Sequence, residues 1–126
     1  MHIFFKALIA FLVLDVIWLS LTSSIVYLPS FRKVGEIRPF SFKTVLFAIL
    51  AYIILSYGVT FFVFDEKLPK TKKQIAFDGA VLGFMLYAVY NLTNLAVFKN
   101  YPIPLAIIDT SWGTLVTAVV SIIATL

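Results

Sequence analysis

The chain has no cysteine and a single histidine, and charged residues make up only 13% of its 126 positions. Without a thiol there is no disulfide, no thiolate nucleophile and no cysteine-held zinc or iron–sulfur centre. His2, the one imidazole, sits at the start of the chain, so Ser-His-Asp catalysis and histidine-ligated metals have no support, and neither a cofactor nor a metal is expected. The scarcity of charge excludes an ordinary soluble domain. What fills the chain instead is 62% hydrophobic residues, 17% of all residues being aromatic, with a mean hydropathy of +1.04. Four spans of about 22 residues would use roughly 88 positions, which leaves no room for a separate water-soluble catalytic domain. The formal net charge of +4 comes from ten basic residues scattered over short loops. That scatter forms no basic helix face, so anionic lipid headgroups rather than nucleic acid are the expected counter-charge.

The apolar runs predict spans over about 3–27, 44–64, 75–98 and 104–126. The first carries fifteen Ile, Leu, Val and Phe residues, worth roughly −7 kcal/mol on an insertion scale, against a cost of about 3 kcal/mol for one central Asp. Lys6 resembles a short basic leader region, but the run is long and no A-x-A-like site follows, so an uncleaved first helix is expected. Pro29 reads as its end, before a polar loop from Ser30 to Lys43. A charged turn, 65–74, separates the second and third spans. A five-residue connector, Lys99 to Ile103, forces the third and fourth into a tight hairpin, with Pro104 suited to a first helical turn. The resulting fold class is all-α, an integral membrane four-helix bundle with antiparallel neighbours. Both termini share one side, here side A, with the two other connections on side B. Lys and Arg number five on each side, so the positive-inside rule gives no orientation.

Polar residues at membrane depth are the informative ones, because each costs free energy unless paired or hydrated. Asp15 lies near the midplane, with Trp18 and Thr22 one and two turns on along the same face. Tyr87, Tyr90, Asn91 and Asn94 form a stripe in the third span, roughly 6 to 17 Å from side B at 1.5 Å per residue. Asp109, Trp112, Gly113 and Thr117 form another in the fourth, with Asp109 roughly 8 Å from that side. The short connector puts Asn91, Asn94 and Asp109 at similar depth, and Tyr52 and Ser56 of the second span are at comparable depths. We therefore expect one polar pocket open toward side B, built on Asp15, Trp18, Tyr90, Asn91, Asn94, Asp109 and Trp112, with Gly113 allowing close helix approach. Asp109 should face the bundle interior within hydrogen-bond reach of Asn91 or Asn94. The bland readings are packing bonds for the two Asn and interface anchoring for the aromatics, while Asp78 is read as a helix-dipole partner facing water. Asp15 and Asp109 have no Lys, Arg or His within the spans to neutralise them. Each precedes a tryptophan by three residues, on helices of opposite direction, a pattern that an inverted repeat would leave. Asn91-Leu92-Thr93 fits the glycosylation sequon but lies inside a span, and Asp109-Thr110-Ser111 resembles an aspartic-protease signature without the β-loop and second lobe that chemistry needs.

The segments Leu14-Asp15-x-x-Trp18-Leu19, Tyr90-Asn91-x-Thr93-Asn94 and Asp109-Thr110-x-Trp112-Gly113 resemble the hallmark positions of a family of small four-span membrane proteins catalogued as domain of unknown function 2177. The resemblance covers nearly the whole chain. It implies the four-helix architecture and no particular activity, and it implies residence in a bacterial inner membrane or the internal membrane of a large DNA virus. Three functions follow for testing. The first is a non-catalytic structural or binding component, with lipid, a second copy or a protein partner on its loops. The alternatives are a proton- or cation-coupled carrier of small solutes, and a component of a viral internal membrane. An intramembrane enzyme using both Asp as acid and base ranks last, because the depths of the two carboxylates differ by several ångströms.

Overall fold

A computed structural model describes residues 2–64 and 70–126, so half of the turn expected over 65–74 lies outside these. Four helices long and apolar enough to cross a membrane make up the described chain: α1 His2–Arg32, α2 Phe42–Val63, α3 Lys72–Val97 and α4 Ile103–Ile123. Their outward residues are large and apolar, among them Ile9, Val16, Ile54, Val89 and Ile107, each more than half exposed. Such a surface is intolerable in water and matches a hydrocarbon solvent. Local chemistry sets the starts. Thr44 accepts the Ser41 amide at the head of α2, and Thr71 and Gln74 exchange reciprocal side-chain bonds at the head of α3. Pro102 and Pro104 flank the first residue of α4, where a missing amide costs nothing.

The expectation that Pro29 ends the first helix is corrected. A π-helical turn, Ser23–Tyr27, precedes it, and the chain stays helical through Leu28–Arg32. The wider turn restarts the hydrogen-bond ladder, so Pro29 falls in a first-turn position where its absent amide is harmless. At 1.5 Å per residue the 31-residue helix is about 46 Å long, so its last turn carries Arg32 to the headgroup level of side B. A second π-turn, Val59–Val63, closes α2.

Around the bundle the order is α2, α1, α4, α3. α1 packs on both α2 and α4, and α3 packs closely along α4. The α3–α4 seam is built of small residues: Gly79 and Gly83 face Gly113, Thr117 and Ser121. The hydroxyls of Thr117 and Ser121 bond back to the carbonyls of Gly113 and Thr117 at 2.7 Å, so they ask nothing of the facing helix and the backbones close in. α2 and α3, by contrast, meet through the last turn of α2 and diverge toward side B. There, on side A, Lys70 ties the two together by donating to the Val63 carbonyl at 2.7 Å and to Asp78 at 2.8 Å. Asp78 is thus ion-paired at the water-facing start of α3. An apolar core of Ala7, Phe11, Val59, Val63, Val116 and Val120 fills the side-A half.

Lys6 donates to the Leu126 carbonyl, which brings the two ends of the described chain together on side A. Because the chain has no native cysteine, single cysteines give a clean topology test. Cysteines replacing His2 and Lys72 should react with an impermeant thiol reagent from one face of sealed vesicles, and those replacing Gly35 and Asn100 from the other. Labelling of Gly35→Cys and Lys72→Cys from the same face would remove the architecture.

Candidate functional site

Between the side-A core and a second cluster of Tyr27, Tyr101, Leu105 and Ala106 at the side-B end lies a cleft of about 560 Å³, and Asp15, Trp18, Tyr52, Tyr87, Asp109 and Trp112 are all in its wall. The two tryptophans are its spine. Their rings stack with centroids 4.4 Å apart and planes 5° from parallel, so α1 and α4 are fixed face to face at this level.

Each indole N–H then serves the aspartate of the opposite helix. Trp112 Nε1 donates to Asp15 Oδ1 at 2.6 Å. Trp18 Nε1 donates to the Tyr27 hydroxyl at 3.0 Å, which in turn donates to Asp109 Oδ1 at 2.9 Å. The spacing Asp-x-x-Trp on two antiparallel helices thus becomes an exchange across the bundle, direct in one sense and relayed by a phenol in the other. Tyr52 Oη lies beside the Asp15 carboxyl.

Asn91, 1% exposed, is the node on α3. Its Nδ2 donates to Asp109 Oδ2 and to the Tyr87 carbonyl, both at 2.8 Å, and lies 3.3 Å from Thr110 Oγ1. Its Oδ1 accepts from the Tyr101 hydroxyl at 2.7 Å. Burial pushes the Tyr101 phenol up from its ordinary range, which keeps it protonated and able to donate. Among the described residues, every buried side-chain nitrogen and oxygen has a partner.

The structure therefore brings together Asp15, Trp18, Asn91, Asp109 and Trp112. Asp109 is held by Asn91 and not by Asn94. Asn94 stands partly exposed near Tyr101, and Tyr90 lies at the rim of the cleft, 53% exposed. Helical phase explains the split: Tyr87 and Asn91, four residues apart, share the face turned to α4, whereas Tyr90 is rotated off it. Gly113 meets Tyr87, and a Cβ there would fall inside that ring.

Sequence reasoning missed Tyr27 and Tyr101. Nine residues at 3.6 per turn put Tyr27 about 180° around the helix from Trp18. The π-turn that brings it back has no simple sequence code. Tyr101 lies in a connector whose side chains no periodicity assigns to a face.

Among the described residues no group of three His, Asp or Glu side chains could hold a metal ion. In all the bonds described the two carboxylates accept, Asp15 from one indole and Asp109 from a phenol and an amide. Among the described residues neither carboxylate has a Lys, Arg or His within ion-pair distance, so neutral donors alone meet them.

A laterally splayed helical membrane bundle with an acidic, aromatic-walled intramembrane cleft is the class that this geometry defines. Within it, the chain belongs to the family described as "Predicted membrane protein (DUF2177)", whose model matches residues 1–126. No curated protein and no solved structure matches it.

Proposed function

We propose that this protein is a non-catalytic membrane binding protein whose cleft receives a positively charged organic group. The observation that carries this reading is that Asp15 and Asp109 line one cavity together with the rings of Trp18, Tyr27, Tyr52, Tyr87, Tyr90 and Trp112. Among the described residues, no Lys, Arg or His is in that wall. Two carboxylates at membrane depth without a protein cation are costly, and a bound cation offsets that cost. Aromatic faces add cation–π attraction of about 0.5–2 kcal/mol each where desolvated. A purely structural role for the same residues is favoured by one observation, the complete pairing of the buried polar atoms; the two readings part on ligand response.

The test uses the two tryptophans, both in the cleft wall, as intrinsic reporters. Titrating the detergent-solubilised protein with benzyltrimethylammonium should change their fluorescence saturably. Asp15→Asn keeps one acceptor oxygen for Trp112 and Asp109→Asn keeps one of the two that Tyr27 and Asn91 use; with the thermal transition checked for each, either should weaken binding about tenfold, the equivalent of 1.4 kcal/mol. Saturable binding that neither substitution alters, or no binding to a parent protein of intact thermal transition, would defeat the reading in favour of the structural one.

A further inference from the structure

The cleft has a door, and the door faces lipid. On side A the apolar core closes it, with Phe11 packed on the Tyr52 ring at 6.4 Å. On side B Tyr27 and Phe31, rings 5.9 Å apart, roof it, which corrects the expectation of an opening toward that side. α1 and α4 form its back, locked by the tryptophan stack. What is left is the gap where α2 and α3 diverge. Its two edges are Ala51 and Ile54 on one helix and Leu86 and Tyr90 on the other, all in the cleft wall and all exposed on the bundle's outer surface. Ile54 is 71% and Leu86 44% exposed, so the edges are hydrocarbon-facing rather than turned to water.

We infer that the ligand enters sideways from the bilayer between α2 and α3 and is a cationic amphiphile: an amine or quaternary ammonium head sits at Asp15 and Asp109, and one aliphatic chain remains between Ile54 and Leu86. The inference rests on the cation-binding reading above and adds route and ligand class to it. A water-soluble cation of the same head would have to cross the aromatic roof, whereas an amphiphile already dissolved in the leaflet meets an apolar gap. A phosphate beside the head is disfavoured, since two carboxylates and no wall cation would confront it. That selects a simple alkylamine over a zwitterionic phospholipid.

Depth-resolved quenching tests this in the intact protein, reconstituted in dioleoylphosphatidylcholine vesicles. A long-chain alkylamine brominated along its chain should quench Trp18 and Trp112 more strongly than brominated phosphatidylcholine at equal bilayer fraction, while aqueous iodide should quench little. The excess from the amine should vanish in Asp15→Asn/Asp109→Asn, and Ala51→Phe/Leu86→Phe, which narrows the gap without touching the carboxylates, should reduce quenching by both brominated chains. Strong iodide quenching of the parent with no excess from the brominated amine would overturn the lateral route. Loss of the carboxylate effect on benzyltrimethylammonium would instead overturn the cation site itself, so the two failures are separable. Equal quenching by brominated amine and brominated phosphatidylcholine would overturn the ligand class while leaving the opening.

Discussion

Gly83→Leu should leave no assembled bundle: the protein should insert, fail to give a cooperative thermal transition in detergent, and be lost from the membrane fraction in cells. A Cβ at Gly83 would run into the backbone carbonyl of Gly113 and, at 2.7 Å, the Thr117 Cβ. Backbone cannot rotate away as a side chain can. Helix association in lipid gains nothing from hydrophobic burial and depends on close packing, so a wedge in the closest seam has no compensating term. Gly83→Ala should cost about 1–3 kcal/mol, the usual range for overpacking, and leucine more. Gly79 gives the control within the same seam, since an added Cβ there would meet the Thr117 carbonyl at 2.9 Å and the Ser121 side chain. Gly79→Ala with Ser121→Ala should recover part of the loss from Gly79→Ala alone. Gly83 allows less relief, since the nearest contact of an added Cβ is the Gly113 carbonyl rather than a side chain. Gly58, whose added Cβ would meet only Leu82 at 3.9 Å, should accept alanine without loss. A Gly83→Leu protein melting like the parent would mean that the α3–α4 seam does not hold the fold.

Much of this fold is legible in the sequence because lipid imposes so few choices. Apolar runs long enough to span must be helices, and loops of five residues must join antiparallel neighbours. Depth is legible too, since 1.5 Å per residue turns sequence position into height, and it brings Asn91 and Asp109 to one level. Facing is less so. Every helix here is apolar on nearly all sides, so the contrast between core and surface that orients a soluble helix is weak. Gly79-x-x-x-Gly83 has the spacing of a helix contact, yet nothing in the chain says that its partner is Gly113, Thr117 and Ser121. The same blindness covers Tyr27, whose direction depends on a π-turn, and the splay of α2 from α3. Where α2 and α3 part, their edges carry Tyr52, Ile54, Leu86 and Tyr90, and among the described residues no glycine seam like that of α3 and α4 joins them.

Asn91 and Asn94 differ by three positions and should differ sharply in consequence. Asn91→Leu removes the donor to Asp109 and the acceptor of Tyr101 in one step, and the new side chain has no solvent to expand into at a site 1% exposed. A buried group stranded without its partner costs about 1–3 kcal/mol, so two together predict about 2–5 kcal/mol. Measured hydrogen bonds in membrane bundles average only about 0.6 kcal/mol, because the separated helices find other partners. That lower figure applies to Asn94, which is partly exposed and makes no direct bond to Asp109; Asn94→Leu should lie within about 1 kcal/mol of the parent. Tyr101→Phe isolates one arm of the node. It deletes the phenol but leaves Asn91 Nδ2 on Asp109, so its cost should fall between the other two, and the double variant Asn91→Leu/Tyr101→Phe should be less unstable than the sum of its parts. Thermal unfolding in one detergent, with the same series repeated in the benzyltrimethylammonium titration, separates fold from site: Asn91→Leu frees the Asp109 carboxylate from its amide and should alter ligand affinity, whereas Asn94→Leu should alter neither measurement. Equal destabilisation by the two leucines would show that Asn91 is an ordinary packing residue and that Asp109 is positioned by Tyr27 alone.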